Sequence, residues 1–273
     1  RNQTFAFTPA GVSSSLISDY NTTSEIKLGG GSSLRGSGFS HTLGMSEGAG
    51  VRIPLGRFSL KDLHLSSKDR SNSWAIDVKN SNASQTPQPF YGDIHNVLTS
   101  NFNNGINLSS IESNLHNVRI DAHASPTHVG DGAELSRGTY GLVLAEAGNV
   151  GQGNKANGYD LSFDNVFIRG YKVGFSGSRA FIGKDLHVVG ADVGLSIKGD
   201  GTSYQRPGHK VIYGYYSDYN WRLGAIFDGI RGASLFNPHI YELGVHSKDL
   251  EYPVFGLYFD RKSSQNLVVG TTV

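Results

Sequence analysis

Short runs of alternating apolar and polar residues recur along this chain, each followed by a glycine. Three of them place an Asn or Asp nine residues before the glycine: Asn96 with Gly105, Asn165 with Gly174, and Asp185 with Gly194. Tyr215 and Gly224 keep the same offset. Alternation over a few residues is typical of a half-buried β-strand. The pattern therefore predicts short strands in pairs, with a turn between the members of each pair.

The pairs repeat at irregular intervals. Their glycines are 20 to 36 residues apart, at positions 105, 141, 174, 194, 224 and 256. A repeat of this length indicates a solenoid whose coils carry insertions. Helical periodicity is nearly absent, and only residues 12–20 and 112–120 could form a turn or two. We expect an all-β fold, a right-handed single-stranded parallel β-helix of about eight coils. A β-sandwich is the competing fold, but it does not predict the constant offset.

Each predicted strand has too few apolar residues to be stable alone, so the coils must stack. Stacking predicts one interior column of Val97, Val118, Val166, Leu186 and Tyr216, and a second of Ile106, Leu142, Phe175, Leu195, Ala225 and Leu257. The glycine before each second strand suits a corner where the backbone turns tightly or approaches a neighbour closely. The Asn or Asp before each first strand suits another corner, since Asx residues tolerate left-handed backbone.

Composition narrows the class of protein. Of 273 residues, 37% are hydrophobic and 11% aromatic, which is typical of a folded chain. A net charge of +1 argues against a nucleic-acid partner. There is no cysteine, which excludes disulfides and thiolate chemistry. No apolar run is long enough for a membrane-spanning helix, so no membrane partner is expected. The chain begins with Arg1 and is expected to be part of a longer protein, with a lead-in segment at 1–23 and the β-helix domain at 24–273.

The first coils carry a resemblance to a known family. Residues 26–39 are Ile-Lys-Leu-Gly-Gly-Gly-Ser-Ser-Leu-Arg-Gly-Ser-Gly-Phe, followed by Gly-Val-Arg-Ile at 50–53 and Phe-Ser-Leu-Lys-Asp-Leu-His-Leu at 58–65. This opening resembles that of pectate-lyase-like right-handed β-helices, and the resemblance extends over roughly residues 24–270. Among these proteins, the Ser-, Asn- and Gly-rich, cysteine-free style is most similar to bacteriophage tailspikes and tail appendages. The calcium-binding carboxylate clusters and the arginine motif of pectate lyases have no counterpart here.

The resemblance implies a function as well as a fold. Tailspike-like proteins are typically homotrimers in the virion tail, outside the cell, that bind or cleave bacterial cell-surface polysaccharide. We therefore expect a polysaccharide depolymerase acting as an endo-glycosidase. A non-catalytic receptor-binding or adhesin β-helix and a polysaccharide lyase are the alternatives. No cofactor is expected. No metal site is expected either, because His64, His187 and His239 come from separated coils.

Side chains between the inward-facing residues must face outward. The first strands then present a column of His64, Leu98, Arg119, Phe167, His187, Ser217 and His239. The second strands present Asp77, Asn107, Val143, Ser176, Ser196, Ile226 and Tyr258. We predict that Arg119, His187, His239 and Tyr258 bind sugars. The alternative is that they are ordinary solvent-exposed side chains without a ligand.

Aromatic residues cluster in the segment 213–221, which contains four tyrosines and a tryptophan. Sugar rings present apolar CH faces that can stack on such side chains. Tyr219 and Trp221 fall at the predicted corner and are our stacking candidates. Packing within the corner is the alternative.

Four long insertions separate strands, at 79–92, 121–140, 145–160 and 198–210. Residues 121–140 hold the most titratable groups, including Asp131 and Glu134 on one Asp-Gly-Ala-Glu segment. Glycoside hydrolysis needs one carboxyl group as acid and another as base or nucleophile. We predict Glu134 as the acid, with Asp131 or Glu146 as its partner. A solvated loop without chemistry is the alternative.

Overall fold

The computed structural model describes residues 13–15, 20–29, 31–39, 42–46, 48–54, 56–68, 72–78, 91–108, 112–123, 138–144, 161–178, 180–199, 210–241 and 254–272. Within these ranges every regular element is a β-strand. No helix in the described part of the chain is long and apolar enough to cross a membrane. The segment 112–120, where sequence allowed a helical turn, is a strand in which every second residue is buried on either side of two exposed positions: Ser113 and Leu115, then Val118 and Ile120.

The strands, in chain order, are β1 (Ser13–Ser15), β2 (Tyr20–Thr22), β3 (Ile26–Lys27), β4 (Ser32–Arg35), β5 (Thr42–Met45), β6 (Val51–Ile53), β7 (Phe58–Ser67), β8 (Trp74–Val78), β9 (Tyr91–Ser100), β10 (Asn104–Leu108), β11 (Glu112–Asp121), β12 (Gly138–Leu144), β13 (Leu161–Arg169), β14 (Tyr171–Gly177), β15 (Phe181–Val189), β16 (Val193–Lys198), β17 (Lys210–Asp218), β18 (Leu223–Asp228), β19 (Ala233–Tyr241), β20 (Phe255–Phe259) and β21 (Leu267–Val269). They form two sheets. The first has the order β1-β4-β7-β9-β11-β13-β15-β17-β19-β21, with β2 and β5 beside it, and the second runs from β20 to β3 through the even-numbered strands β18 to β6.

From β5 onward, successive strands along the chain alternate between the two sheets, and each pairs in parallel with its counterpart one coil away. The fold is therefore a right-handed parallel β-helix, as predicted. The described residues contain nine coils and the first-sheet strand of a tenth, close to the expected eight. The domain boundary after residue 23 stays a prediction. Strands β1 and β2 lie on its N-terminal side and pair with β4 and β5.

The long strands of the first sheet bend at one residue with positive φ. The bend residues occupy the same register position in successive coils: Asp62, Asn96, Asn117, Asn165, Asp185, Gly214 and Asn237. Sequence placed these residues at a corner before the strand, which is wrong: they lie within it, because the strand continues on both sides of the bend. Asn and Asp are suited to this conformation. Their side chains also form a ladder, in which Nδ2 of Asn117 donates to Oδ1 of Asn96 at 2.6 Å and Nδ2 of Asn165 donates to Oδ1 of Asn117 at 3.0 Å.

The first interior column is confirmed for Val97, Val118, Val166 and Leu186, which are fully or almost fully buried. The assignment of Tyr216 to this column is wrong. Tyr215 pairs with Leu186 and is fully buried, while Tyr216 is 38% exposed. The bend residue of β17 is Gly214, one position earlier than the nine-residue offset indicates.

One additional corner residue explains the shift. After β17 the chain turns through Tyr219, which has positive φ, and the fully buried Asn220. The Asn220 side chain accepts from the Ala191 backbone N–H at 2.7 Å and donates to Oγ of Ser217 at 2.6 Å. The corner is therefore filled by an amide that satisfies local polar groups, and the distance from bend residue to glycine becomes ten.

The second interior column pairs as predicted, from Ile106 through Leu142, Phe175, Leu195 and Ala225 to Leu257. The repeated glycine lies inside each second strand, at a close approach between backbones. A Cβ on Gly174 would come within 2.8 Å of the carbonyl oxygen of Gly194 and would also meet the Val188 side chain. The glycine column thus allows the two sheets to pack closely along one edge of the core.

Candidate functional site

An outward column follows the first sheet on the C-terminal side of its bend. Successive coils contribute, in register, Thr42, His64, Leu98, Arg119, Phe167, His187, Tyr216 and His239. The predicted column is confirmed apart from Ser217, which is fully buried. Tyr216 takes its place, because the bend at Gly214 turns Ser217 inward. Sequence could have found Tyr216 by treating Gly214 as equivalent to the Asx bend residues.

Five neighbouring members of this column contact one another, and we call them the outer strip: Arg119, Phe167, His187, Tyr216 and His239. The Arg119 guanidinium lies 4.8 Å from the centroid of the Phe167 ring. The ring of Phe167 meets that of His187 edge-on, with 5.1 Å between the centroids, and the centroids of His187 and Tyr216 are 6.0 Å apart. Tyr216 stacks on His239 at 5.0 Å with planes 5° apart. With coils about 4.8 Å apart, the strip extends over roughly 19 Å along the helix axis.

Arg119 is positioned by groups on two sides. Phe167 lies beneath its guanidinium, and Nη2 lies 3.7 Å from Oδ2 of Asp121. Asp121 is buried and is already in direct contact with the buried Arg169 of the next coil. Its other oxygen accepts the backbone N–H of His123 at 3.0 Å. Asp121 therefore orients Arg119 while its own charge is compensated mainly by Arg169.

His187 occupies the centre of the strip. Its ring is half-buried between Phe167 and Tyr216, and burial lowers its pKa, while the nearby Asp218 carboxylate acts in the opposite direction. Within the described residues, its Nε2 atom is buried and has no hydrogen-bond partner. The neutral imidazole is thus favoured, and it continues the aromatic surface from Phe167 to Tyr216.

The two ends of the column differ in polarity. At the first coils both ring nitrogens of His64 are hydrogen-bonded to hydroxyl groups: Nδ1 lies 3.1 Å from Oγ1 of Thr42, and Nε2 lies 3.0 Å from Oγ of Ser100. At the last coils Tyr241 stacks beside His239, and its hydroxyl lies 3.2 Å from Nδ1 of that ring. Tyr241 is 43% exposed, so the aromatic surface continues past the strip at this end.

The remaining predicted ligands lie elsewhere. Tyr219 and Trp221 are half-buried at the corner between β17 and β18, where the Trp221 backbone N–H donates to the Ala191 carbonyl at 2.7 Å. Tyr258 is exposed on the second sheet and packs against Phe255 at 5.7 Å. The structure thus brings Arg119, His187 and His239 together in one column but not the other three.

The predicted catalytic residues Glu134, Asp131 and Glu146 lie outside the described residues. Their roles stay predictions. Asp121, at the start of the same insertion, is described, and its contact with Arg169 shows it in a structural position.

A second outward column lies on the N-terminal side of the bend and was not singled out from sequence. In it His95 stacks on His116 at 5.0 Å, and Nδ1 of His116 lies 3.2 Å from Oδ2 of Asp164. Farther along, Tyr213 stacks on Phe236 at 4.9 Å. The signal was available, since these residues directly precede the bend positions. In the described ranges, no group of three or more His, Asp or Glu side chains could hold a metal ion.

Comparisons with known proteins add one solved structure. No family model matches the chain, and no curated protein matches it. The chain is similar to tailspike protein 3 of bacteriophage CBA120, with 10% sequence identity, a TM-score of 0.35, and coverage of 94% of this chain and 54% of that one. The chain therefore spans about half the length of the tailspike that it matches. The β-helix itself follows from the parallel pairing of the strands described above.

Proposed function

We propose that this chain binds a bacterial cell-surface polysaccharide along the outer strip, as part of a viral tail protein. The observation that carries the proposal is the unbroken series of contacts from Arg119 to His239 on one outward face. The series follows the helix axis, so it suits a ligand that is itself linear. The bacterial source of the polymer and the viral context are implied by the resemblance of the Ser-, Asn- and Gly-rich, cysteine-free sequence to bacteriophage tailspikes.

The chemistry of the strip fits sugars. Aromatic faces pack against the apolar CH faces of sugar rings, while the Tyr216 hydroxyl, the imidazoles and the guanidinium offer hydrogen bonds to hydroxyl groups. Tyr216 and Arg119 are the most exposed members of the strip. Tyr216 is 38% exposed, and the side chain of Arg119 is 45% exposed. Both are also fixed by their neighbours, which reduces the entropy lost on binding.

Cleavage of the bound polymer is a separate proposal. It rests on Glu134 with Asp131 or Glu146, which follow β11 and β12 in the sequence, and β11 carries Arg119 at the start of the strip. Binding by the strip does not depend on it.

Tyr216→Ala tests the binding site, and Tyr213→Ala is its matched control. Both tyrosines are exposed on β17 and stack on a ring of β19, but they lie on opposite sides of the bend at Gly214. Loss of one stacked ring should weaken binding on the order of ten-fold, about 1.4 kcal/mol. Affinity would be measured by calorimetry with purified capsular or O-antigen polysaccharide.

We expect Tyr216→Ala to lose affinity and Tyr213→Ala to keep the wild-type value. Equal affinity of Tyr216→Ala and the wild type would place binding elsewhere on the molecule. Circular dichroism of both variants checks that the β-helix is intact.

A further inference from the structure

Building on the proposed function, we propose that the outer strip selects an acidic polysaccharide, with Arg119 binding a carboxylate or phosphate of the polymer. The neighbouring neutral sugars then pack on Phe167, Tyr216 and His239. The inference concerns the charge of the ligand, which the proposed function leaves open.

The first argument is the unused hydrogen-bonding capacity of Arg119. A guanidinium has five N–H donors in a planar fork that matches the oxygens of a carboxylate or phosphate. Nη2 of Arg119 lies 3.7 Å from Oδ2 of Asp121, which is too far for a hydrogen bond. Asp121 instead directs its oxygens to Arg169 and to the His123 backbone. Arg119 is thus held in place while its donors stay available to a ligand.

The second argument is the local charge. Asp121 is in direct contact with Arg169 but lies 3.7 Å from Nη2 of Arg119, so its negative charge compensates Arg169 more closely than Arg119. Asp121 and Arg169 are buried, whereas the Arg119 side chain is 45% exposed. The positive charge of Arg119 is therefore presented at the surface.

The third argument is the absence of negative charge from the rest of the outward column. Its outward column contains no carboxylate among the described coils, from Thr42 to His239. An anion bound at Arg119 thus meets no like charge within the column. The Phe167 ring under the guanidinium shields one side from water, which strengthens the attraction to an anion.

The experiment compares acidic and neutral polymers. The wild-type chain would be applied to an array of purified bacterial capsular and O-antigen polysaccharides of known repeat, with uronic-acid, phosphate-bearing and uncharged members. One uronic-acid polymer that binds is then converted to its neutral form by carboxyl reduction. We expect the chain to bind the charged polymers, and to bind the reduced polymer at least ten-fold more weakly than its uronic-acid parent. Comparison of uronic-acid with phosphate-bearing polymers shows whether Arg119 prefers a carboxylate or a phosphate.

Arg119→Gln and Arg119→Lys test the residue, with Arg57→Gln as the matched control, because Arg57 also lies over an aromatic ring, Tyr91, outside the strip. Arg119→Gln should lower affinity for the acidic polymer at least ten-fold and affinity for the reduced polymer by a much smaller factor, because only hydrogen bonds to hydroxyl groups are lost there. The affinity of Arg119→Lys for the acidic polymer should lie between those of Arg119→Gln and the wild type, since lysine keeps the charge but lacks the planar set of N–H donors. Arg57→Gln should behave as the wild type.

The outcomes separate this inference from the proposed function. Binding of neutral polymers as tightly as acidic ones, or an Arg119→Gln variant with unchanged affinity for the acidic polymer, overturns the selectivity and leaves the strip as a neutral-sugar site. If the wild type binds no member of the array, the proposed function fails and the selectivity with it.

Discussion

Two adjacent tyrosines have opposite environments because of one backbone residue. Gly214 adopts the left-handed conformation, so the next residue, Tyr215, enters the core and Tyr216 faces outward. The Tyr215 hydroxyl donates to the Gly224 carbonyl at 2.6 Å, which satisfies the buried polar atom. At this scale, the position of a side chain depends on its distance from the bend, and a shift of one residue exchanges core and surface.

The pH dependence of stability tests the environment of His187. Because burial lowers its pKa in the folded protein, the unfolded chain binds more protons once the pH falls below about 6.5. His187 should therefore make the protein less stable as the pH drops from 7 to 5 and have no effect above 7. We expect the fall in Tm over this range to be smaller for His187→Gln than for the wild type.

His116→Gln is the control for that measurement, because its imidazole is exposed on the other side of the bend. Asp218→Asn should enlarge the fall in Tm, since the Asp218 carboxylate favours protonated His187. Identical pH profiles for His187→Gln and the wild type would contradict the assigned environment.

Glu134→Gln tests the predicted chemistry. Removing a general acid should slow cleavage by about 10²–10⁴-fold and leave polymer binding intact. The measurement is the release of oligosaccharide reducing ends, with ultraviolet absorbance of a new double bond as the sign of a lyase. Cleavage by Glu134→Gln at the wild-type rate would place the acid at another residue, and a wild type that binds without product would favour the adhesin alternative.

At the scale of the strand, two kinds of backbone constraint repeat from coil to coil. The bend residues need left-handed backbone, and the glycine column needs room for a neighbouring carbonyl. Neither constraint involves the ligand. Both recur in the sequence because few residue types satisfy them.

Gly174→Ala tests the glycine column. The added methyl group would meet both the Gly194 carbonyl oxygen and the Val188 side chain, so one sheet must shift. We expect a loss of about 1–3 kcal/mol in the free energy of unfolding, measured by urea denaturation. Ser176→Ala on the same strand is the control and should cost less, because its side chain is only half-buried on the outward face. A stable Gly174→Ala variant would show that the sheets have room to separate.

These constraints explain what sequence could predict. Strand pairing, the second interior column and most of the outward column follow from the spacing of Asx and glycine residues. The exception is the coil of β17, where glycine replaces Asx and the corner gains one residue. The contact of Asp121 with Arg169 was not predictable, because it joins side chains 48 residues apart in sequence whose conformations depend on packing. The catalytic prediction had no repeated pattern to support it.

At the scale of the whole molecule, the outer strip exists only because the coils stack. Its members come from five consecutive coils, and none of the five strands presents more than one of them. In a solenoid each coil contacts only its neighbours, so the geometry of the strip is set by the local rise between coils. The homotrimer implied by the resemblance stays a prediction, which sedimentation of the intact protein would check.

The alternation within each long strand has an evolutionary consequence. Val118 faces the core and Arg119, the next residue, faces the solvent, and the same division holds for Val166 and Phe167. Selection for a new ligand can act on the outward residues without disturbing the inward ones. Homologues could therefore differ in the ligand that they bind while keeping the same scaffold, through substitutions at one outward position per coil.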